Sequence, residues 1–142
     1  MPSYDPNNVF AKILRGEFSA YKVYEDDRTL AFLDIMPQAP GHTLVVPKSA
    51  ARNILDVDPE ELAYLIKIAQ KIAKTAKSVF AADGVNVFQF NEPAAGQTVF
   101  HLHVHVIPRK DGVPLKPPAS IKEDPTVLAE QQKRLAEALK GN

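Results

Sequence analysis

The chain has 142 residues, a formal net charge of zero, 45% hydrophobic residues, four histidines and no cysteine. This length and composition predict one globular domain, and the lack of cysteine excludes disulfides, thiolate metal sites and a thiol nucleophile. The balanced charge argues against a general nucleic-acid or membrane-surface binder, and because neither a signal peptide nor an apolar run of membrane-spanning length is visible, we expect a cytoplasmic protein.

The first third of the chain predicts a short helix followed by three strands. The helix is "NNVFAKILRG", in which Asn7 or Asn8 can cap the start and Gly16 can end the last turn. The segments "AYKVYED" and "TLAFLD" alternate as strands around a turn at residues 26–28, and "HTLVVP" is a third strand after the loop "PQAPG".

A long helix is predicted from Pro59 to Ala82. Asp58 can cap it, Pro59 occupies the favoured first position, and Glu61 completes a capping box. Apolar residues at spacings of three and four form one stripe along it: Leu62, Leu65, Ile66, Ala69, Ile72, Ala73, Ala76, Val79 and Phe80.

The last part of the chain predicts two more strands and a C-terminal helix. "VNVFQF" and "TVFHLHVHVIP" are the strands, the second ended by Pro108, with the loop "NEPAAGQ" between them. A proline-rich segment leads to the helix "DPTVLAEQQKRLAEAL". The order of elements favours an α+β fold with an antiparallel sheet of about five strands. Residues 1–110 form the principal domain, and residues 111–142 form a segment and a helix that pack on it.

Three of the four histidines, His101, His103 and His105, alternate with apolar residues in "HLHVHVI". Successive side chains of a strand point to opposite faces, so the three imidazoles share one face about 6.5–7 Å apart at Cα. The apolar residues between them face the core. Three imidazoles in this register can reach one substrate group together.

Three interpretations fit this pattern. The face is a polar, solvent-exposed side of a strand, or it binds zinc through neutral imidazoles, or it attacks a phosphate through a nucleophilic imidazole. The preceding loop favours phosphate, because Gly96 allows close backbone approach and Gln97 and Thr98 carry donors. A zinc hydrolase would require a nearby carboxylate, for which Glu92 is the candidate.

The motif "HLHVHVI" resembles the signature of the histidine triad (HIT) superfamily, and most of all its Hint branch. The segments "VFAKILRGEFSAYKVYEDDRTLAFLDIMPQAPGHTLVVPK" and "NEPAAGQTVFHLHVHVIPR" are similar to the two halves of that family's domain. The resemblance covers roughly residues 7–110. It implies a nucleotide hydrolase or transferase that attacks an α-phosphate, with the HIT-like fold.

The resemblance also implies a role for each histidine. His103 would be the nucleophile that forms a nucleotidyl-histidine intermediate, and His105 would contact the phosphate and the leaving group. His101 would orient the nucleophile, and His42 matches a fourth histidine of the pocket.

The remaining pocket residues follow from the same resemblance. Asp34 would hold the ribose hydroxyls, with Ile35 beside it, although Asp34 also suits an ordinary strand end. The phosphate would be lined by Asn91, Gly96, Gln97 and Thr98. The base would lie against Phe10, Phe18 and Phe32, for which plain core packing is the rival interpretation.

Departures from the family pattern limit what transfers. Asn8 and Ala11 stand where many bacterial members have a zinc-binding Cys-x-x-Cys, so we expect no such metal site and no cofactor. The chain also lacks the Trp-containing C-terminus of Hint proteins, so two roles are open for its own C-terminal segment: it shapes the leaving-group side of the site, or it is a stabilising clasp.

The favoured function is hydrolysis of a purine nucleoside phosphoramidate or an aminoacyl-adenylate by a homodimer that joins two sheets into one of ten strands. The alternatives are a dinucleoside polyphosphate hydrolase of the Fhit type, a metal-dependent hydrolase, and a nucleotide-binding module without turnover. We expect no nucleic-acid partner and no membrane partner.

Overall fold

The computed structural model describes residues 2–141, which form one antiparallel sheet flanked by three helices. The strands are β1 (Lys22–Glu25), β2 (Thr29–Leu33), β3 (Thr43–Pro47), β4 (Gly84–Phe88) and β5 (Val104–Arg109), in the spatial order β1-β2-β3-β5-β4. The helices are α1 (Val9–Leu14), α2 (Pro59–Val79) and α3 (Pro125–Lys140). The predicted α+β class and antiparallel sheet are confirmed.

The two faces of the sheet bury different groups. One face packs under α2 and α3, where Leu102, Val104 and Val106 join the apolar residues of both helices in the main core. The opposite face carries a smaller core around Phe32 and Leu44, and α1 packs on it. Because side chains alternate along a strand, a histidine between two of these core residues must face the α1 side.

Helix α2 begins as predicted and ends earlier. The Asp58 side chain accepts from the backbone N–H of Glu60 at 2.8 Å, while the Glu61 carboxylate binds Arg28 at 2.9 Å instead of closing a capping box. The helix ends at Val79 because Ala81 adopts a positive φ of 49°. The backbone N–H groups of the residues after the C-cap then return to the last free carbonyls, which stops the helix.

The buried face of α2 differs from the predicted stripe at Ile66, Ile68 and Thr75. Ile66 is 47% exposed, whereas Ile68 is buried. The buried positions follow the spacing of three and four from Leu65, and Ile66 lies about 100° away around the helix axis. The buried face consists of Leu65, Ile68, Ala69, Ile72, Thr75 and Ala76.

Strand β5 begins later and ends later than the sequence predicts. It starts at Val104, so His101 and His103 precede it. The backbone N–H of Leu102 donates to the Ala51 carbonyl at 2.8 Å, which holds this stretch outside the strand ladder. Pro108 does not end β5, because it lies opposite Val85 and the pairing continues to Arg109.

Helix α3 is part of the main core and not an appendage. Leu128, Leu135 and Leu139 are buried in the same cluster as α2, and Gln132 donates to the Lys22 carbonyl of β1 at 3.0 Å. Truncation after Arg109 would therefore open the core. No helix in residues 2–141 combines the length and the apolar character needed to cross a membrane.

We expect Gly41→Ala to destabilise the fold more than Gly16→Ala. Both glycines have a positive φ, 83° and 80°, so either alanine carries the left-handed backbone cost of about 1–2 kcal/mol. At Gly41 the added Cβ would also lie 2.6 Å from the Phe80 ring, whereas at Gly16 it would meet nothing within 4 Å. Chemical denaturation of both variants measures the difference, and equal losses would show that the Phe80 contact is unimportant.

Candidate active site

The strand register brings the histidines to one place on the α1 face of the sheet. His105 lies opposite Leu44 of β3 and Phe88 of β4. Its ring centroid is 5.0 Å from that of His103 and 5.2 Å from that of His42, the residue before β3. Phe10 of α1 packs edge-on against His103 at 4.9 Å between ring centroids. Three of the four histidines therefore form one cluster beneath α1.

The hydrogen bonds of His103 leave one nitrogen free with a lone pair. Its Nδ1 lies 2.7 Å from the His101 backbone carbonyl. A carbonyl can only accept, so Nδ1 carries the proton and the neutral ring has its lone pair on Nε2. His103 thus presents an unprotonated Nε2, the form that a nucleophile requires.

His101 lies outside the cluster, but its backbone carbonyl accepts from His103. Its Nε2 donates to the Pro47 carbonyl at 2.8 Å, so Nδ1 accepts the Tyr4 hydroxyl at 2.6 Å. The side chain is buried, and the hydrogen bond between the two residues is made by the His101 backbone carbonyl. The role of Tyr4 does not follow from the sequence, because no spacing rule links two residues that lie 97 positions apart.

A relay of hydrogen bonds gives His105 the opposite polarity to His103. The backbone N–H of Gln38 donates to His42 Nδ1 at 3.0 Å, so the proton of His42 is on Nε2. His42 Nε2 lies 2.9 Å from His105 Nδ1 and donates to it. His105 therefore carries its own proton on Nε2. His103 thus offers a lone pair, and His105 offers an N–H group.

Burial keeps all four imidazoles neutral. It lowers the pKa of His42 and of His101 to about 4 and the pKa of His105 to about 3, with a smaller contribution from His103 in each case. Burial also lowers the pKa of His103, opposed by its bond to the His101 carbonyl. Removing an ionised group from water disfavours the charged form, so the arrangement of protons described above persists at neutral pH.

A cavity of about 680 Å³ opens between α1 and the histidine face. Eight of the residues predicted for the site line it: Phe10, Phe18, Phe32, Asp34, Ile35, Thr98, His103 and His105. Other lining residues, including Val9, Ile13 and Ala119, were not predicted. A larger cleft of about 770 Å³ lies along α2, but it contains lysines and tyrosines and no histidine, so the smaller cavity is the candidate active site.

Asn91, Gly96 and Gln97 lie beside the cavity and not in its lining. Gln97 is buried, and its amide binds backbone groups of Arg52 and Glu92 at 2.7 and 2.8 Å. The Asn91 side chain accepts from the Ile54 backbone N–H at 2.8 Å. Gly96 has a φ of 96°, and its N–H is bonded within the turn. These groups shape the loop, and of the four residues predicted to line the phosphate, Thr98 is the one in the cavity lining.

An ion pair anchors the same loop from outside. Arg52 binds both oxygens of Glu92, at 2.8 and 3.0 Å, and stacks over the Phe100 ring at 4.1 Å. This pairing lowers the pKa of Glu92, whose φ of 75° turns the chain into the loop. Glu92 is thus held by Arg52 and does not reach the histidines. Arg52 and Glu92 are 40 positions apart, so no local sequence pattern predicts their ion pair.

Asp34 lies at the junction of the cavity and the relay. Burial raises its pKa, partly offset by the Met36 N–H that it accepts at 2.9 Å. Oxygen and nitrogen atoms of Asp34, His42 and His105 lie within 4.8 Å of one another, a spacing that could hold a metal ion. His42 Nε2 already donates a hydrogen bond to His105 Nδ1 at 2.9 Å, so a cation would have to displace that proton.

Comparison with known proteins identifies the family. The HIT domain profile matches residues 15–112. An uncharacterised HIT-like protein of Borreliella burgdorferi is 44% identical over 103 residues, which cover 71% of this chain and 74% of that protein. The "Protein hit" of Bacillus subtilis is 42% identical, with 72% and 71% covered.

Solved structures agree with the sequence relatives. A Hit-like protein of Bartonella henselae, described as involved in cell-cycle regulation and bound to an unknown ligand, has a TM-score of 0.92 and 53% identity over 96% of this chain and 99% of that one. A zinc-bound histidine triad protein of Mycobacterium smegmatis has a TM-score of 0.83 and 38% identity, with 95% and 94% covered.

The class is thus that of the HIT-like α+β domains, and the chain belongs to the HIT family. Members of this family are nucleotide-binding, hydrolase-type proteins. The resemblance inferred from "HLHVHVI" is confirmed.

We expect stability to fall on acidification between pH 6.5 and 5. Imidazoles of the unfolded chain take up protons near pH 6.5, whereas all four folded imidazoles have lowered pKa values, about 4 for His42 and His101 and about 3 for His105, and therefore bind fewer protons in this range. The unfolded state then binds more protons, so each imidazole contributes a loss of up to about 1.4 kcal/mol per pH unit as the pH falls.

Urea unfolding at pH 7, 6 and 5 measures this loss. Unfolded carboxylates titrate mainly below this pH range. The variant His105→Asn should reduce the slope of the unfolding free energy against pH by the equivalent of up to one proton. An unfolding free energy that stays constant from pH 7 to 5 would contradict neutral, buried imidazoles.

Proposed function

We propose that this protein hydrolyses nucleoside 5′-monophosphate derivatives at the α-phosphate, with purine nucleoside phosphoramidates or aminoacyl-adenylates as the favoured substrates. The observation that carries the proposal is the opposite polarity of two adjacent rings. His103 offers a lone pair at Nε2, and His105, 5.0 Å away between ring centroids, offers an N–H. Displacement at phosphorus needs both, one for the attack and one for the leaving group.

In the first step His103 Nε2 attacks the α-phosphorus. The N–P bond forms as the bond to the leaving amine or acyl oxygen breaks. That leaving atom takes the Nε2 proton of His105. The His42–His105 pair has given up one proton and is negatively charged. The phosphorylated His103 ring keeps its Nδ1 proton on the His101 carbonyl and is positively charged, so the two charges balance.

In the second step water attacks the same phosphorus. The pair of His42 and His105 now lacks a proton and accepts one from the water, and the N–P bond to His103 breaks. The nucleoside monophosphate leaves with the hydroxyl group, and both rings return to their starting tautomers. Each proton moved in the first step is thereby returned.

The rest of the cavity suits a nucleoside. Phe10, Phe18 and Ile35 supply an apolar wall, on which a flat base can stack. The Asp34 carboxylate lies at the junction of that wall and the histidines, where it can accept from ribose hydroxyls. Thr98 lines the same cavity as His103, and its hydroxyl can donate to a phosphate oxygen. The preference for a purine derives from the family resemblance.

A metal-dependent hydrolase is the second candidate, favoured by the grouping of Asp34, His42 and His105. It would require the shared proton between the two histidines to be replaced by the ion. The dinucleoside polyphosphate hydrolase and the binding module without turnover use the same pocket, so a panel of phosphoramidates and dinucleoside polyphosphates separates them by rate.

The homodimer stays a prediction. β4 is an edge strand of the sheet, and it exposes Val87 at 52% beside Phe90 at 38%. An exposed apolar edge is suited to strand pairing with a second copy. Sedimentation of the purified protein as a monomer would exclude it.

We expect His103→Ala to abolish covalent labelling and turnover. The wild-type protein, mixed briefly with a phosphoramidate labelled at phosphorus and quenched in base, should retain label on His103. Loss of the nucleophile should cost more than the 10²- to 10⁴-fold typical of acid–base assistance, while affinity for the monophosphate product should stay within a few-fold.

The metal candidate is tested in the same reaction. Labelling and turnover that persist in excess chelator support the imidazole nucleophile. Labelling that survives in His103→Ala, or activity that a chelator removes and zinc restores, would contradict it.

We expect ribonucleotides to bind better than 2′-deoxyribonucleotides, and Asp34→Ala to remove the difference. A hydrogen bond to a charged group contributes roughly 1.5–3 kcal/mol, so the ratio should be about ten-fold or more. Glu17→Gln, which changes another carboxylate at the cavity, is the matched control and should keep the ratio. Equal affinity for both sugars in the wild-type protein would show that Asp34 does not bind ribose.

A further inference from the structure

The loop at residues 35–41 is held in place from outside the cavity by a distant part of the chain. The backbone N–H of Lys116 donates to the Gln38 carbonyl at 2.9 Å, and the Gln38 side-chain amide donates to the Lys116 carbonyl at 3.1 Å. Lys116 belongs to the β5–α3 segment, residues 110–124. A second tether joins the Glu123 N–H to the Ile35 carbonyl at 2.9 Å.

The tethered residue Gln38 is also the origin of the relay. Its carbonyl and side chain bind the β5–α3 segment, while its own N–H donates to His42 Nδ1 at 3.0 Å. That bond places the His42 proton on Nε2 and, through it, the His105 proton on the nitrogen that faces the cavity. The position of Gln38 therefore determines which nitrogen of His105 is a donor.

The other hydrogen bonds of this loop are short-range. The remaining hydrogen bonds of residues 35–41 join residues within the 34–43 hairpin itself, such as Met36 N–H to Asp34 and Thr43 to the Gly41 carbonyl. Among residues 2–141, the hydrogen bonds that tie the loop to the rest of the chain are those to Lys116 and Glu123. Between these two contacts, Ala119 reaches the cavity lining.

We propose that the β5–α3 segment is a positioning element for proton donation, acting through the Lys116–Gln38 pair on His42 and His105. This inference rests on the proposed function and deepens it by assigning the supply of the leaving-group proton to a segment outside the sheet. Lys116 and Gln38 touch no reacting atom. They hold the peptide that keeps the His105 donor directed into the cavity.

Two variants break the pair in different ways. Gln38→Glu is isosteric and replaces the donor to the Lys116 carbonyl by a carboxylate oxygen, while the backbone N–H to His42 remains. Lys116→Pro removes the N–H that binds the Gln38 carbonyl. The controls make similar changes outside the segment: Gln132→Glu removes a similar amide-to-carbonyl bond on α3, and Asp27→Pro, in the turn between β1 and β2, alters an N–H that has no partner within residues 2–141.

The readout compares two leaving groups on one nucleotide. An alkylamine leaves only after protonation, whereas p-nitrophenolate leaves without it. We expect both test variants to lower kcat for the nucleoside phosphoramidate by roughly ten-fold or more, because a displaced general acid loses much of its 10²- to 10⁴-fold contribution. Turnover of the p-nitrophenyl ester should change less than about two-fold, and neither control should change either rate.

Equal losses on both substrates, or no loss on the phosphoramidate, would overturn the proposal and leave the segment as a clasp. Nitrogen chemical shifts of the histidine rings decide independently of activity. The wild-type protein should show His42 and His105 each protonated at Nε2, and Lys116→Pro should show mixed tautomers. Should the wild-type protein turn over neither ester nor phosphoramidate, the proposed function fails. The ring nitrogens then still test the positioning, and unchanged tautomers would reject it.

Discussion

The active-site chemistry of this fold depends on the requirement that buried imidazole nitrogens be paired. Each ring nitrogen that is shut away from water needs a partner, and partners that only donate or only accept determine where the proton resides. A carbonyl imposes an N–H on His103, and a backbone N–H imposes a lone pair on His42. Two identical side chains thereby acquire opposite functions. The backbone thus gives one imidazole a free lone pair and another a free N–H, which are the two groups that the proposed displacement requires.

The fold was predictable to the extent that its signals are local. Alternation in "HLHVHVI", the Asp-Pro starts of α2 and α3, and the glycine and proline turns all act within a few residues. The end of α2 was missed because alanine, not glycine, adopts the left-handed conformation at Ala81. The start of β5 was missed because the backbone of Leu102 pairs with Ala51, a contact between residues 51 positions apart that no periodicity records.

The site divides in the same way. Motif residues such as His103, His105 and Asp34 come together as expected. The residues that support them do not follow from the motif. Tyr4 and Arg52 act across 97 and 40 positions of sequence, Arg52 through an ion pair. Gln38 acts through its backbone N–H, which the identity of its side chain does not reveal. Gln97 shows the converse, because a residue expected to meet phosphate is buried with its amide fully engaged. Residue type and spacing identify the groups that react, and tertiary structure selects the groups that orient them.

The docking of α3 on β1 has a consequence for how the chain folds. The hydrogen bond from Gln132 to the Lys22 carbonyl joins residues 110 positions apart, and the apolar face of α3 completes a core that β1, β2 and α2 otherwise leave open. Closing so long a loop is entropically costly, and long-range contacts slow folding. Before α3 docks, the core that it shares with β1, β2 and α2 is incomplete. The contact between Gln38 and Lys116 spans 78 positions and the contact between His42 and His105 spans 63, so the relay and the segment that holds it both depend on closing long loops.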